Sequence, residues 1–359
     1  MARLDSFLRL VADQQDSDLH LHAGNAPIIR HNGELIPLPF RTLSERETRD
    51  LVLEILTDEQ RATLERDLQV DLMYVLPEVG RFRANMFTQR QGLGAVFRFI
   101  PARIPSLDEL MFPASLEKLT RLSNGLVLVT GPTGSGKTTT LAALVSEINR
   151  KSARHIITIE DPIEYIHEPV RCLITHREVG RHTESFATGL RAALREAPHV
   201  VVIGELRDLE TIQLALSAAE TGVLVFGTLH TNSAAKAVHR ILDVIPEEGR
   251  DQTRALLSVV LRGVVAQHLC LRANGEGRIA ALEVLLHNYG VANMIRENKI
   301  HQLEGYLQSA GSDGSGMQAL DASLFHLVEQ GFITLEEGLK VASYPEQLQR
   351  MVASLPEVI

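Results

Sequence analysis

The pattern of apolar and polar positions changes character near residue 105. Before that point the signals are short and mixed. Residues 4–12 carry apolar side chains at helical spacing, which predicts a short amphipathic helix. Asp18-Leu19-His20-Leu21-His22 alternates with period two, as a half-buried strand does. Asn32-Gly33 stands between Pro27-Ile28-Ile29-Arg30-His31 and Glu34-Leu35-Ile36, the dipeptide that two-residue hairpin turns favour. Thr42-Leu43-Ser44-Glu45 opens a helix in which Ser44 caps and Glu47, three residues on, completes a capping box. Residues 81–100 predict two strands around Gly92-Leu93-Gly94. A small α+β domain over 1–100 follows from these elements.

Pro101-Ala102-Arg103-Ile104-Pro105 interrupts any regular element and opens a linker, placed at 101–113. Beyond it, buried apolar runs alternate with longer helical stretches, the pattern of a mostly parallel α/β sheet. Strands are expected over 125–130, 155–160, 199–204 and 223–228. After Pro246 the pattern predicts a largely helical chain, broken at Asn274-Gly275-Glu276-Gly277 and at residues 311–316. The expected core spans 114–289 and a helical C-terminal region spans 290–359.

Composition narrows the classes. The 359 residues are 45% apolar and 23% charged, ordinary globular values that exclude a disordered or fibrous chain. The net charge is −9, whereas a protein that grips nucleic-acid backbone is normally basic in at least one domain. With no Trp and 5 Tyr, stacking platforms for single strands are poorly supplied. Cys172 and Cys270 are too few for a disulfide framework or a four-thiolate zinc site. His20 and His22 share a strand face, but no third ligand accompanies them. No signal peptide is visible, and no run approaches the ~20 apolar residues a spanning helix needs. A cytoplasmic protein without membrane insertion is the expectation.

Gly131-Pro132-Thr133-Gly134-Ser135-Gly136-Lys137-Thr138 matches G-x-x-x-x-G-K-[ST], preceded by an apolar strand and followed by a helix expected to begin at Thr139. Glycines let consecutive backbone N–H groups turn toward a phosphate, and the helix adds its positive end. Lys137 would place a cation on the β/γ-phosphates, and the Thr138 hydroxyl is a hard ligand for Mg²⁺. Hydrolysis of ATP further needs acids at the ends of neighbouring strands. Val200-Val201-Val202-Ile203 ends in Gly204-Glu205, and Ile156-Ile157-Thr158-Ile159 ends in Glu160-Asp161, with Glu164 beyond. A third strand ends at Leu229-His230-Thr231, where His230 could donate to a γ-phosphate. Glu160 and Asp161 are candidates, with Thr138, to hold the metal.

Taken in order, four blocks resemble those of the secretion-type traffic ATPases, and among them the retraction ATPases of type IV pili (the PilT family). They are 131–138, the acidic block 157–165, Val201-Val-Ile-Gly-Glu-Leu-Arg-Asp208, and Gly227-Thr-Leu-His-Thr231 with Arg240. Ser17-Asp-Leu-His-Leu21 and Gly80-Arg-Phe-Arg83 extend the resemblance into the first domain. The resemblance implies a PAS-like N-terminal α+β domain, a RecA-like P-loop ATPase core with a helical C-terminal region, and a homohexameric ring acting on an inner-membrane pilus platform protein. It also implies Glu205 as general base, Glu160 and Glu164 in support of metal and water, His230 near the phosphate, and trans-acting arginines from the first domain. Arg83, Arg90 and Arg98 are the candidates.

Pilus-assembly and type II secretion ATPases of this superfamily usually carry a four-cysteine insertion and an extra N-terminal domain, for which neither the cysteines nor the length before residue 131 suffice. The retraction family's C-terminal motif Ala-Ile-Arg-Asn-Leu-Ile-Arg-Glu corresponds here to Gly290-Val291-Ala292-Asn293-Met294-Ile295-Arg296-Glu297, with Ala292 in place of the first arginine. The implied function is ATP-driven pilus retraction, with an accessory paralogue working beside a second retraction ATPase, an assembly or secretion ATPase, a nucleic-acid motor, and a nucleotide-binding scaffold without turnover as the alternatives.

Overall fold

A computed structural model describes residues 3–14, 18–31, 34–310 and 314–355. The chain divides into two compact units. One runs to Arg103 and takes in Glu164–Ile166; the other holds Ile104–Ile163 and the residues from His167 onward.

The first unit is an antiparallel sheet of β1 (Asp18–His22), β2 (Ile28–His31), β3 (Glu34–Pro37), β4 (Gln69–Leu76), β5 (Gly80–Gln89) and β6 (Gly92–Pro101), in the order β3-β2-β1-β6-β5-β4. Alternate residues of the long strands (Leu19, Leu21, Phe82, Ala84, Met86, Ala95, Phe97) turn to one face. There they pack on Leu8, Val11, Leu51 and Val52 of the helices Asp5–Asp13 and Glu45–Leu53. The capping box forms as the spacing requires, Ser44 accepting from the Glu47 amide and Glu47 from the Ser44 amide. β2 and β3 pair in hairpin register, His31 opposite Glu34, while Asn32-Gly33 lie outside the described residues. The expected turn at Gly92–Gly94 is corrected: those residues belong to β6, and Arg90 and Gln91 form the turn. Gly94 is needed inside the strand, because a Cβ there would come 2.9 Å from the Phe87 ring.

The second unit is built on β7 (Gly125–Thr130), β8 (His155–Glu160), β9 (Leu173–Glu178), β10 (Val200–Ile203), β11 (Leu224–Leu229), β12 (Leu261–Leu271) and β13 (Arg278–Leu286), ordered β13-β12-β7-β11-β10-β8-β9. Six strands run parallel and β13 returns antiparallel. β7, β10 and β11 are buried along their whole length, which is why they read as continuous apolar runs.

The expectation of a largely helical chain beyond Pro246 is corrected here. After the helix Glu247–Val260, residues 261–286 form the paired strands β12 and β13, and only then does the chain become helical. Both strands are mostly buried, so their apolar positions do not alternate and the period says little about which element forms. β9 was likewise not anticipated; its pattern is half-buried throughout most of its length. Cys172 and Cys270 are buried free thiols. Among the described residues, no helix is long and apolar enough to cross a membrane.

Candidate functional site

The C-terminal ends of the parallel strands carry the candidate chemistry, the edge where open α/β sheets bind ligands. β7 leads directly into the glycine-rich loop. Gly131 has φ +151° and Gly136 φ +86°. A Cβ at Gly131 would lie 2.4 Å from the Gln267 carbonyl oxygen, and one at Gly136 would lie 2.8 Å from Gln267 Nε2. Both positions therefore exclude a side chain by conformation and by space. Pro132, Thr133 and Gly134 are exposed at the tip, whereas Ser135 is buried with its Oγ unpartnered. Lys137 is only 8% exposed, and its amine donates to the carbonyls of Gly131 (2.7 Å) and Pro132 (3.0 Å), curling over the loop. The helix Lys137–Lys151 starts here with no side-chain cap, so its N-terminal dipole is directed at the loop. Thr138 and Thr139 sit half-buried in its first turn.

β11 is the next strand, and β10 the one after. Glu205, at the exit of β10, has Oε1 3.1 Å from His230 Nε2 and Oε2 2.7 Å from Arg207 Nη2. His230 leaves β11, so two successive strand ends meet through these side chains. Their backbones are locked together as well: the Leu206 amide donates to the Thr228 carbonyl (3.0 Å), and the Thr228 hydroxyl donates to the Gly204 carbonyl. Gly227 leaves room for Leu206, whose Cδ1 would stand 2.7 Å from a Cβ. On the other side, the Thr130 hydroxyl donates to the Thr231 carbonyl and lies 2.8 Å from the Thr231 hydroxyl. The loop strand, the histidine turn and the Glu205 turn thus form one bonded row.

Glu160 is placed differently. It ends β8, three strands from β7, or about 14 Å at ~4.8 Å per strand. Its carboxylate is 3.9 Å from His176 Nδ1. His176 Nε2 accepts from the His167 amide (3.2 Å), which leaves the proton on Nδ1 to donate to the Thr158 hydroxyl at 2.9 Å. His167 stacks on that ring at 5.8 Å, and burial, with His176 beside it, lowers its imidazole to about 4. Asp161 is exposed. Glu164 groups with the first unit, its carbonyl accepting from Arg81 at 3.2 Å.

The arginine candidates lie in the first unit. Arg83 and Arg98 face each other across β5 and β6, and Arg90 is exposed in the turn. Arg98 Nε donates to Asp18 at 2.9 Å, and Arg30 Nε to the other oxygen of the same buried carboxylate at 2.9 Å. The rings of His20 and His22 stack at 6.3 Å, and no group of three or more His, Cys, Asp or Glu suited to a metal occurs among the described residues. A hydroxyl such as Thr138 with one carboxylate suits Mg²⁺, which keeps several waters and takes further oxygens from phosphate.

Four contributors escaped the sequence reading. Arg207 stood inside a quoted block without a role. Thr130 and Thr231 are linked across 101 residues, and Gln267 reaches the loop from β12. Only the proximity of Arg207 to Glu205 was available locally.

The family described as "Type II/IV secretion system protein" matches residues 66–337. A Pseudomonas aeruginosa protein, "Type IV pilus retractation ATPase PilT", is 45% identical over 343 residues, covering 96% of this chain and 99% of its own. A Neisseria gonorrhoeae "Twitching motility protein" is 47% identical over 322 residues, 90% of this chain and 86% of its own. Among solved structures, that of the pilus retraction motor PilT with bound ADP matches with a TM-score of 0.86 and 42% identity, over 98% of this chain and 99% of that one.

Proposed function

The chain belongs to the type II/IV secretion system protein family and, within it, to the retraction ATPases of type IV pili, and on that footing we propose that it hydrolyses ATP with Mg²⁺ to drive pilus retraction. The observation that carries this reading is the bonded row of strand ends, in which Glu205 stands beside His230 two strands from the phosphate loop. A scaffold that only binds nucleotide has no need of a carboxylate held there.

In this reading the backbone amides of 133–138 and the Lys137 amine hold the phosphates, and the carbonyls that Lys137 now bonds release it when a γ-phosphate offers a stronger acceptor. Thr138 would hold Mg²⁺, with Glu160 or Asp161 acting on it through bound water from three strands away, and the ion would supply charge neutralisation at the phosphates. Glu205 takes the proton of the attacking water, and Arg207 and His230 fix the orientation of its two oxygens. The products are ADP and phosphate. Arg83 and Arg90 are the arginines proposed to reach a neighbouring subunit's nucleotide, since Arg98 is committed to Asp18. The working form is a homohexamer on the cytoplasmic face of the inner membrane. ATP-dependent movement between the domains, through 101–113, pushes on a pilus platform protein.

One observation favours a second reading, an accessory paralogue acting beside another retraction ATPase. Ala292, where the family motif has its first arginine, is 7% exposed in the helix Tyr289–Arg296. A site that in the family holds a cation is here filled by a methyl group. Deletion in the source bacterium, scored for surface pili and surface motility together, tests both. Abundant pili with lost motility support retraction. Bald cells would make the chain an assembly motor, and motility lost only when a second retraction ATPase is also deleted would make it accessory. Complementation with Lys137→Ala should fail.

A further inference from the structure

We propose that Gln267 is a positioning residue for the phosphate loop: from β12 it locks the Ser135–Gly136 peptide in the orientation that turns the Gly136 N–H inward. This rests on reading 131–138 as the nucleotide's phosphate site.

A loop that binds an anion must point its amides inward and its carbonyls outward. In a trans peptide the carbonyl and the following N–H point in opposite directions, so holding one fixes the other. The Ser135 carbonyl accepts from Gln267 Nε2 at 2.6 Å. Gln267 is 2% exposed, and its Oε1 accepts from the Thr140 hydroxyl at 2.6 Å, one turn into the following helix. Both ends of the amide are therefore engaged, and only one orientation satisfies them, because a carbonyl can only accept.

The need for such a lock comes from the glycine itself. At φ +86°, with no Cβ, Gly136 gives its preceding peptide little steric resistance to turning over. A flipped peptide would aim the Ser135 carbonyl at the phosphate. β12 also presses the loop from its backbone, the Gln267 carbonyl oxygen standing 2.4 Å from where a Cβ of Gly131 would be. One residue thus braces both ends of the loop, from a strand whose register sets Ala266 opposite Thr130.

The test is nucleotide affinity and steady-state kinetics of the full chain carrying Gln267→Met, which keeps the volume and loses both hydrogen bonds. The expected result is ADP and ATP binding weakened about five- to tenfold, the worth of a buried hydrogen bond. KM for ATP should rise in proportion, with turnover at saturation close to wild type and the melting temperature of the nucleotide-free protein lowered by only a few degrees, the cost of the orphaned Ser135 carbonyl. Gln267→Glu, which sets an oxygen against the Ser135 carbonyl, should bind at least as weakly and serves if the methionine variant does not fold. Unchanged affinity in either variant would overturn the proposal. So would equal losses in saturating turnover and melting temperature, since these report general damage. Lys137→Ala measured alongside separates the two levels. If it binds nucleotide as wild type does, the phosphate-site reading itself falls; if it loses binding while Gln267→Met keeps it, only the role of Gln267 falls.

Discussion

Glu160 ends one parallel strand of the sheet and Glu205 stands two residues beyond the end of another, each after an almost unbroken apolar run. Their surroundings have little else in common. Glu205 is met by an imidazole at 3.1 Å and a guanidinium at 2.7 Å, and the turns carrying these groups are bonded to the loop strand. Glu160 stands one strand further from the loop, its carboxylate 3.9 Å from a histidine ring that is already engaged by Thr158 and His167. Position after a strand therefore brings a carboxylate to the functional edge, while strand order and the partners across it decide what the carboxylate does. In the proposed mechanism the acid oriented on both oxygens takes the proton, and the other holds water or metal.

Substitutions should separate the two sharply. Glu205→Gln removes the proposed base and should cut ATP turnover by about 10²–10⁴-fold with nucleotide affinity kept; an effect no larger than that of Glu160→Gln would erase the distinction. His230→Leu should lower saturating turnover by about ten- to a hundredfold, as loss of a hydrogen bond to a charged group does. For Glu160→Gln the main change should be a roughly tenfold rise in the Mg²⁺ concentration giving half-maximal turnover, read from a magnesium titration. Arg207→Ala, at a half-open ion pair, should cost a few-fold at most.

A third carboxylate sharpens the contrast from the side of stability. Glu283 on β13 is buried and accepts from the Ala234 amide at 2.6 Å. Burial pushes its carboxyl up to about 7, with Glu304 and Asp321 adding to the rise, against the Ala234 bond and Lys236. The native state therefore holds this proton where the unfolded chain has released it, and the associated stability is full below about 4.5 and lost as pH rises through about 7. Melting temperatures from pH 5 to 8 should fall more steeply for wild type than for Glu283→Gln.

How much of this was legible depended on how far each interaction reaches along the chain. The phosphate loop could be read because its requirements are local: glycines for φ, a lysine and a hydroxyl at fixed offsets, a strand before and a helix after. The capping box at Ser44 and Glu47 was visible for the same reason. β4 offered a signal that went unused, since Val70, Leu72 and Leu76 are buried while Gln69, Asp71 and Val75 are exposed. β12 and β13 offered almost none, as strands buried on both faces lose the alternation that marks them. Gln267 could not be found at all from sequence, because its partners are 127 and 132 residues away and nothing near it announces a loop contact. The Arg98–Asp18 pair is similar: the arginine stood out as a finger candidate, but its partner lies 80 residues back, brought opposite by the β1–β6 register.

The most direct test is the identity of the nucleotide recovered from purified Glu205→Gln after incubation with Mg²⁺ and ATP, beside wild type and Lys137→Ala. The expected result is ATP retained intact on Glu205→Gln, ADP on wild type and no nucleotide on Lys137→Ala. ADP formed on Glu205→Gln as fast as on wild type would contradict the assignment of the base and, with it, the reading of these strand ends as the motor's hydrolytic site.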